Sequence, residues 1–504
     1  MQLLIFSFEI LCKLSAIFCA HHFKKGKYVI ALSTRPTINT FILAVISSFA
    51  LRAVTFQFFV APQEYYKQAD SADYHNGAVC MTVWHGMWAN GQPIFWRTPG
   101  YPAYLMPFYK YFGVTSGKFE DNAPAEKASI WFQILVSSFI PLVIFALAYL
   151  MTQLYFVANI AMWIAVVHVG LVLASTFLLT EGIALIFFYA FLFLLYKLIL
   201  QEPKKVLLTA LGAAAMLSIY TWIRPMGECT GLWAAFLIFV AGKGSWKQTA
   251  TKSLLFSIPF FLTLTPWYVR NYQLTDEFFF NPTGGPYLNC FCAPKIVRHV
   301  NGGKLEDICK ELQMAAGLEV RKKRISQIGK NKWPSGLECK KVSMPLIMKY
   351  PHYFIYDWFV QNLKTTFDLY SYQLVAIANN AYYYDPVEEF LSEKIAGCLW
   401  AQPLPILSRT IAWVELFFML ALWFALLGGL WCFMLKPLWH KNNTSFILSM
   451  QRLWFITALI IAAPIAMTGG FGYARLRLPI EPLIIILALS FWYWFLRKGK
   501  SIEN

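Results

Sequence analysis

Charged residues recur where long apolar runs begin or end, and their types suit the handling of an anion. Asp70 and Asp73 lie in Asp70-Ser71-Ala72-Asp73-Tyr74, and Arg97 opens Arg97-Thr98-Pro99-Gly100-Tyr101-Pro102. Glu181 follows Thr180 at the start of an apolar run, Arg224-Pro225 ends another, and Arg270 lies in Pro266-Trp-Tyr-Val-Arg270-Asn-Tyr272. Arg475 and Arg477 precede the last apolar run in Arg475-Leu-Arg477-Leu-Pro-Ile-Glu-Pro482. Charged groups at a membrane edge are costly unless they have work or partners. A single arginine there is explained by snorkelling to the interface, and Asp70 or Asp73 is explained equally well as the N-cap of a short helix. Five arginines together with carboxylates point instead to an anionic substrate.

The elements that must position these residues are membrane spans. The chain has 504 residues, 58% hydrophobic and 14% charged, against about 25% charged in soluble domains. This excludes an ordinary soluble enzyme. A span needs about 20 apolar residues, and ten stretches qualify: 38–60, 128–151, 154–175, 178–200, 206–223, 226–242, 253–270, 410–434, 453–469 and 480–496. The expected fold class is therefore an all-α polytopic membrane protein. Arg52, inside the first span, is expected to snorkel or to face a polar interior.

Lys and Arg exceed Asp and Glu by 43 to 26, a formal charge of +17. They are scattered between apolar segments, which argues for membrane orientation and anionic lipids over nucleic acid. Short cytoplasmic loops carry excess Lys and Arg, and the short loops 21–35, 202–205, 243–252 and 436–452 and the tail from Arg497 fit an inside N-terminus. The outer face then receives 61–127 and 271–409, and every residue singled out above falls on it. The expected organisation is a cytoplasmic or interfacial segment 1–37, a membrane domain 38–272 with the first outer loop, an outer segment 273–409, and helices with a cytoplasmic tail over 410–504. Residues 1–20 contain Glu9 and Lys13 and lack the basic start of a signal peptide, so they read as an interfacial helix, with an eleventh span as the alternative.

Cys80, Cys290, Cys292, Cys309, Cys339 and Cys398 fall in the outer segments, where disulfides persist if the compartment is oxidising. Cys290-x-Cys292 with His75 or His85 does not have the usual spacing of a zinc site. Residues 304–332 have mixed amphipathic character and carry Arg321-Lys322-Lys323-Arg324, which reads as a solvated helix face or as a contact for anionic headgroups.

The sequence resembles the GT-C glycosyltransferases, in particular the bacterial branch related to protein O-mannosyltransferases and the aminoarabinose transferase of lipid A. The likeness spans about residues 38–496 and rests on the order and membrane placement of five elements. These are Asp70 to Tyr74, Arg97 to Pro102, Thr180-Glu181, Pro266 to Tyr272, and Arg475 to Pro482, where Leu476 replaces the aromatic residue usual in the family. The resemblance implies transfer of a hexosyl or pentosyl group from a polyprenyl-phosphate donor to a lipid, glycan or protein acceptor. The reaction is a direct, inverting displacement at the outer face of a membrane, expected to be the bacterial inner membrane.

A lipid phosphate as leaving group needs cations where its charge develops. Arg97 is the first choice, then Arg270, Arg475 and Arg477, with Arg224 also available. The acceptor hydroxyl needs a base: Asp70 matches the family position, Asp73 is next, and Glu181 assists. No organic cofactor or protein metal site is expected, although a divalent cation held by Asp70 and Asp73 remains compatible with the residues. The competing functions are an O-antigen ligase or polymerase, which shares such donors, and a lipid-linked sugar transporter or flippase. Transporters place substrate groups near the bilayer midplane and often have related halves, whereas these carboxylates and arginines lie at one face and the halves look unrelated.

Overall fold

The apolar stretches fold as helices in the computed structural model, because inside a bilayer a helix or a closed barrel is what satisfies the backbone. The structure describes residues 35–62, 64–67, 70–83, 86–89, 92–95, 97–114, 123–200, 206–324, 336–378, 406–435, 451–461 and 474–500. The proposed N-terminal helix over 1–20 and Cys398 lie outside them.

Helix α1 (Ile38–Thr55) runs into a π-helical turn, Phe56–Val60. The first loop contains α2 (Ser71–Val83), a two-residue antiparallel ribbon pairing Trp88 with Pro93 and Ala89 with Gln92, and α3 (Gly100–Tyr111). The central bundle follows as α4 (Ala123–Ser137), α5 (Ile140–Thr152), α6 (Tyr155–Val167), α7 (Val169–Ala174), α8 (Glu181–Leu200), α9 (Val206–Ile223), α10 (Gly227–Ala241) and α11 (Trp246–Thr275). Shorter helices build the next segment: α12 (Ala293–Asn301), α13 (Leu305–Arg324), α14 (Gly336–Lys349), α15 (Pro351–Phe367) and α16 (Ser371–Ala378). The chain returns through α17 (Ile406–Gly429), α18 (Gln451–Ile461), a 3₁₀ turn at Ala474–Leu476 and α19 (Glu481–Lys500).

Among the described residues five helices are long and apolar enough to cross a membrane: Ile38–Val60, Ala123–Thr152, Glu181–Leu200, Val206–Ile223 and Arg409–Met434. The chain is an integral membrane protein. Tyr155–Val167, Gly227–Ala241, Gln451–Ile461 and Glu481–Leu496 are apolar but shorter. The ten-span count is higher because continuous apolar sequence does not reveal where a helix breaks. At His168 the backbone turns extended and divides α6 from α7, with His168 Nδ1 accepting from Leu171 N. Helix α11 has the length of a span, but its Ser, Thr, Pro and Arg residues lower its apolarity.

Four-residue spacing sorts the faces of α1, since residues i and i+4 share a face. Ile38, Ile42 and Ile46 are exposed, whereas Ala44, Ser48 and Arg52 are buried in the bundle. Arg52 does not snorkel: it is fully buried, and its Nη1 donates to Ser48 Oγ and to the Ser48 carbonyl. Helices α8, α9 and α11 pack side by side through an aromatic core that includes Phe188, Phe191, Tyr220, Phe256 and Phe260.

The two ends of this bundle differ in chemistry. At one end Lys243 N donates to the Ile199 carbonyl, Lys252 Nζ to the Lys243 carbonyl and Arg452 to the Ala241 carbonyl. At the other, the start of α8 and the end of α9 meet the first loop and the turn before α19.

Candidate active site

Asp70 reaches the bundle because the loop before α2 is pinned to the turn before α8. Leu178 N donates to the Tyr66 carbonyl at 2.9 Å, and Ser71 Oγ donates to the Leu178 carbonyl at 2.9 Å. Asp70 thereby comes beside Glu181. Its backbone carbonyl accepts the weak first bond of α2, from Tyr74 N at 3.4 Å, while both carboxylate oxygens go to arginines. The side chain of Asp70 therefore belongs to a charged cluster and is not spent on the helix end.

Arg97 is delivered by the start of α3. Thr98 Oγ1 donates to the Ile223 carbonyl, and Gly100 lies so close to Trp222 that a Cβ would stand 2.4 Å from its carbonyl carbon and oxygen. Any larger residue at Gly100 would push α3 off α9. Tyr101 OH donates to Gln133 Oε1, and Gln133 Nε2 in turn donates to the Ser175 and Phe177 carbonyls. Tyr101, through Gln133, thus ties the first loop to the turn that leads to Glu181, while Thr98 and Gly100 seat it on the end of α9. Tyr74 closes the arrangement, with its ring 5.0 Å below the Arg97 guanidinium and edge-on to Tyr101.

Six of the eight residues singled out from the sequence form one chain of ion pairs. Arg97 Nη2 donates to Asp70 Oδ1 at 2.7 Å and to Asp73 Oδ2 at 2.9 Å, and Arg97 Nε also donates to Asp73 Oδ2 at 3.1 Å. Arg475 Nη2 donates to Asp70 Oδ2 at 3.1 Å, and Arg475 Nε lies 4.0 Å from Glu181 Oε1. Glu181 Oε1 pairs with Arg224 Nη1 at 2.6 Å, and Thr180 Oγ1 accepts from that same nitrogen at 3.3 Å. Burial falls along the series, from Glu181 at 6% side-chain exposure through Asp70 at 32% to Asp73 at 54%. Burial works to raise the carboxyl pKa of Asp70, but the Arg475 and Arg97 charges outweigh it and hold the group below its ordinary range.

Arg270 and Arg477 do other things. Arg270 stacks on Trp267 at 4.3 Å and on Phe95 at 5.3 Å, and its Nη2 donates to the Met87 and Ile94 carbonyls. It clasps the two ends of the ribbon that leads to Arg97. Arg477 is 2% exposed and pairs with Glu481 through Nε, while its Nη1 donates to the Thr365, Thr366 and Asp368 carbonyls. It is a structural post behind the cluster.

Several buried polar groups have partners that no spacing rule announces. Glu415 accepts from Tyr370 N at 2.6 Å and Ser371 N at 2.8 Å, capping α16. His75 Nδ1 lies 2.8 Å from Tyr109 OH and 3.0 Å from Glu126 Oε1, away from the cysteines considered with it for zinc. Among the described residues no group of three or more His, Cys, Asp or Glu converges as a metal set, and Cys80, Cys290, Cys292 and Cys309 are free thiols.

No family model matches the chain, and no curated protein matches its sequence. Solved structures do match by shape. Archaeal oligosaccharyltransferase AglB from Archaeoglobus fulgidus, in complex with an inhibitory peptide and a dolichol-phosphate, superposes with a TM-score of 0.50 at 12% identity, over 93% of this chain and 51% of its own. ArnT from Cupriavidus metallidurans bound to undecaprenyl phosphate gives a TM-score of 0.33 at 11% identity, over 89% of this chain and 78% of its own. The likeness to AglB is one of fold. It spans about half the length of the AglB chain it matches.

Proposed function

We propose that the chain is a glycosyltransferase that moves a hexosyl or pentosyl group from a polyprenyl-phosphate donor to a hydroxyl of a lipid, glycan or protein acceptor. The observation that carries this reading is the convergence of Arg97, Arg224 and Arg475 from three distant segments onto one site interleaved with Asp70, Asp73 and Glu181. Sharing a fold with an oligosaccharyltransferase whose structure holds a dolichol-phosphate supports it. The motifs favour the bacterial branch of GT-C enzymes, and the charge bias favours a site on the outer face of an inner membrane.

Arg97 Nη1 makes no hydrogen bond among the described residues and keeps a donor for phosphate oxygens, while Arg224, which pairs with Glu181 and also hydrogen-bonds Tyr220, adds a second positive charge. Preorganised cations of this kind stabilise the charge that develops on a departing phosphate. Asp70 has both oxygens committed to arginines and serves to hold them in place. Asp73 engages only Oδ2, and its Oδ1 has no partner among the described residues, so it takes the role of base. The acceptor oxygen bonds the anomeric carbon as its proton passes to Asp73. The bond from that carbon to the phosphate oxygen breaks, its electron pair leaves with the lipid phosphate, and configuration inverts. Guanidiniums meet the phosphate charge in this scheme, and no divalent ion is required.

Mass spectrometry of cell-envelope glycans with and without the protein tests the reading. Loss of one sugar from one acceptor is expected, with the lipid-linked donor accumulating on the outer leaflet, and the same loss with the donor held on the inner leaflet would favour a flippase. Transfer by the purified chain in the presence of a chelator should continue.

A further inference from the structure

Arg475 lies outside the long helices, ahead of the start of α19. It lies in the single 3₁₀ turn Ala474–Leu476, and a one-turn element has too few internal bonds to hold a guanidinium in register. The turn is instead clamped from outside. Asp368 is 3% exposed, its Oδ2 accepts from Ala474 N at 3.0 Å across 106 positions of sequence, and its Oδ1 accepts from Leu369 N at 3.0 Å. At the far end, fully buried Tyr189 donates its hydroxyl to the Leu478 carbonyl at 2.6 Å. Between them Arg477 ties the Asp368 carbonyl to Glu481, which also receives the Tyr370 hydroxyl at 3.2 Å and faces His168 Nε2 at 3.5 Å.

We propose that Asp368 is a positioning residue for donor binding, acting by fixing the turn that carries Arg475. The inference rests on the reading of Arg475 as a phosphate-binding group. Asp368 acts on the backbone N–H one residue before Arg475. A carboxylate accepting backbone N–H bonds makes a charge-assisted bond, shorter and stronger than a neutral one, and losing it would let the 3₁₀ turn relax. Arg475 would then lose its alignment with Asp70 Oδ2 and with the phosphate.

The test measures affinity of the full-length chain in detergent for undecaprenyl phosphate, with thermal melting alongside. Arg475→Ala should weaken binding about 10- to 100-fold, the range of a charged hydrogen bond. Asp368→Ala should weaken it by a similar factor, Asp368→Asn should recover part of the loss because Asn keeps an acceptor oxygen, and the Arg475→Ala/Asp368→Ala double variant should bind no worse than Arg475→Ala alone. Tyr189→Phe removes only a hydroxyl at the other end of the turn and should weaken binding in the same direction, which keeps the test usable if Asp368→Ala does not fold. If Arg475→Ala weakens binding while Asp368→Asn and Tyr189→Phe bind as the parent does, or if the double variant shows fully additive losses, Asp368 is not a positioning residue. If Arg475→Ala itself binds normally, the functional reading of Arg475 fails, and the inference with it.

Discussion

Arg475 Nη2 donates to Asp70 Oδ2 at 3.1 Å, joining positions 405 residues apart. That bond closes the site, since Asp70 is reached from the first loop and Arg475 from the turn before the last helix. Both oxygens of Asp70 are thereby occupied by guanidiniums. A carboxylate held between two cations is well suited to align them and poorly suited to take up a proton, and this separates its role from that of Asp73.

Arg97 is the guanidinium with most to lose. Its Nε and Nη2 hold Asp70 and Asp73 while Nη1 stays open. Arg97→Ala should lower turnover by a factor on the order of 10²–10³ if it stabilises the leaving phosphate. Arg97→Lys should restore only part, because an ammonium lacks the planar fork. Steady-state transfer measurements decide it, and full turnover in Arg97→Ala would make the residue a structural ion pair.

Arg477 should differ from Arg97 by acting first on stability. With 2% exposure and a Glu481 partner that is also buried, its removal leaves an uncompensated charge. Breaking such a pair costs about 3–5 kcal/mol. Arg477→Ala should therefore depress the melting temperature in detergent strongly, and because Arg477 also braces the turn that carries Arg475, the protein that folds should bind undecaprenyl phosphate no more weakly than Arg475→Ala does.

The sequence shows which residues gather better than what each one does. Asp70, Asp73, Arg97, Glu181, Arg224 and Arg475 are legible because charges beside apolar runs are rare and need partners. Arg270 and Arg477 carry the same signal, yet their guanidiniums turn to backbone carbonyls and to Glu481, a choice made by tertiary packing that spacing does not encode. The helix break at His168 is equally silent, since the residues on both sides are apolar throughout. Asp368 stands in an ordinary polar stretch, and only a contact 106 positions away gives it a role.

The proposed membrane sidedness, argued from the loop charges, is open to a direct test. Tyr111 is 85% exposed near the site end, and Lys247 lies on an exposed stretch at the opposite end. An impermeant thiol reagent applied to intact cells should add label to a Tyr111→Cys chain but not to a Lys247→Cys chain, each compared with the parent. The reverse pattern would place the site on the cytoplasmic face.

The ion pairs of Asp70 also predict a dependence on pH. Its carboxyl pKa is raised by burial and lowered more by Arg475 and Arg97, so the net folded value lies below the unfolded value of about 3.9. A depressed folded pKa contributes stability that is fully present above the unfolded value and is lost as pH falls through the folded one. Melting temperature should hold from neutrality to about pH 4 as far as this group is concerned. Below that the parent should lose stability faster than Asp70→Asn, whose side chain does not titrate. Parallel slopes for the two proteins would show that Asp70 is not held by the arginines in solution.

Asn substitutions separate the two carboxylates, because Asn keeps a hydrogen-bonding oxygen but does not take a proton at neutral pH. If Asp73 is the base, Asp73→Asn should fold, bind undecaprenyl phosphate as the parent does, and lose transfer by a factor of roughly 10²–10⁴, the usual contribution of general-base catalysis. Asp70→Asn should show the reverse balance. Both of its arginines lose a charged acceptor and one of them faces an amide N–H₂, so donor affinity falls while the chemical step for bound donor falls less. Single-turnover transfer with saturating donor reads the chemical step apart from binding. A chain in which Asp70→Asn abolishes the single-turnover rate while Asp73→Asn leaves it intact would return the base to Asp70, and would require Arg97 or Arg475 to release one of its oxygens when the acceptor arrives.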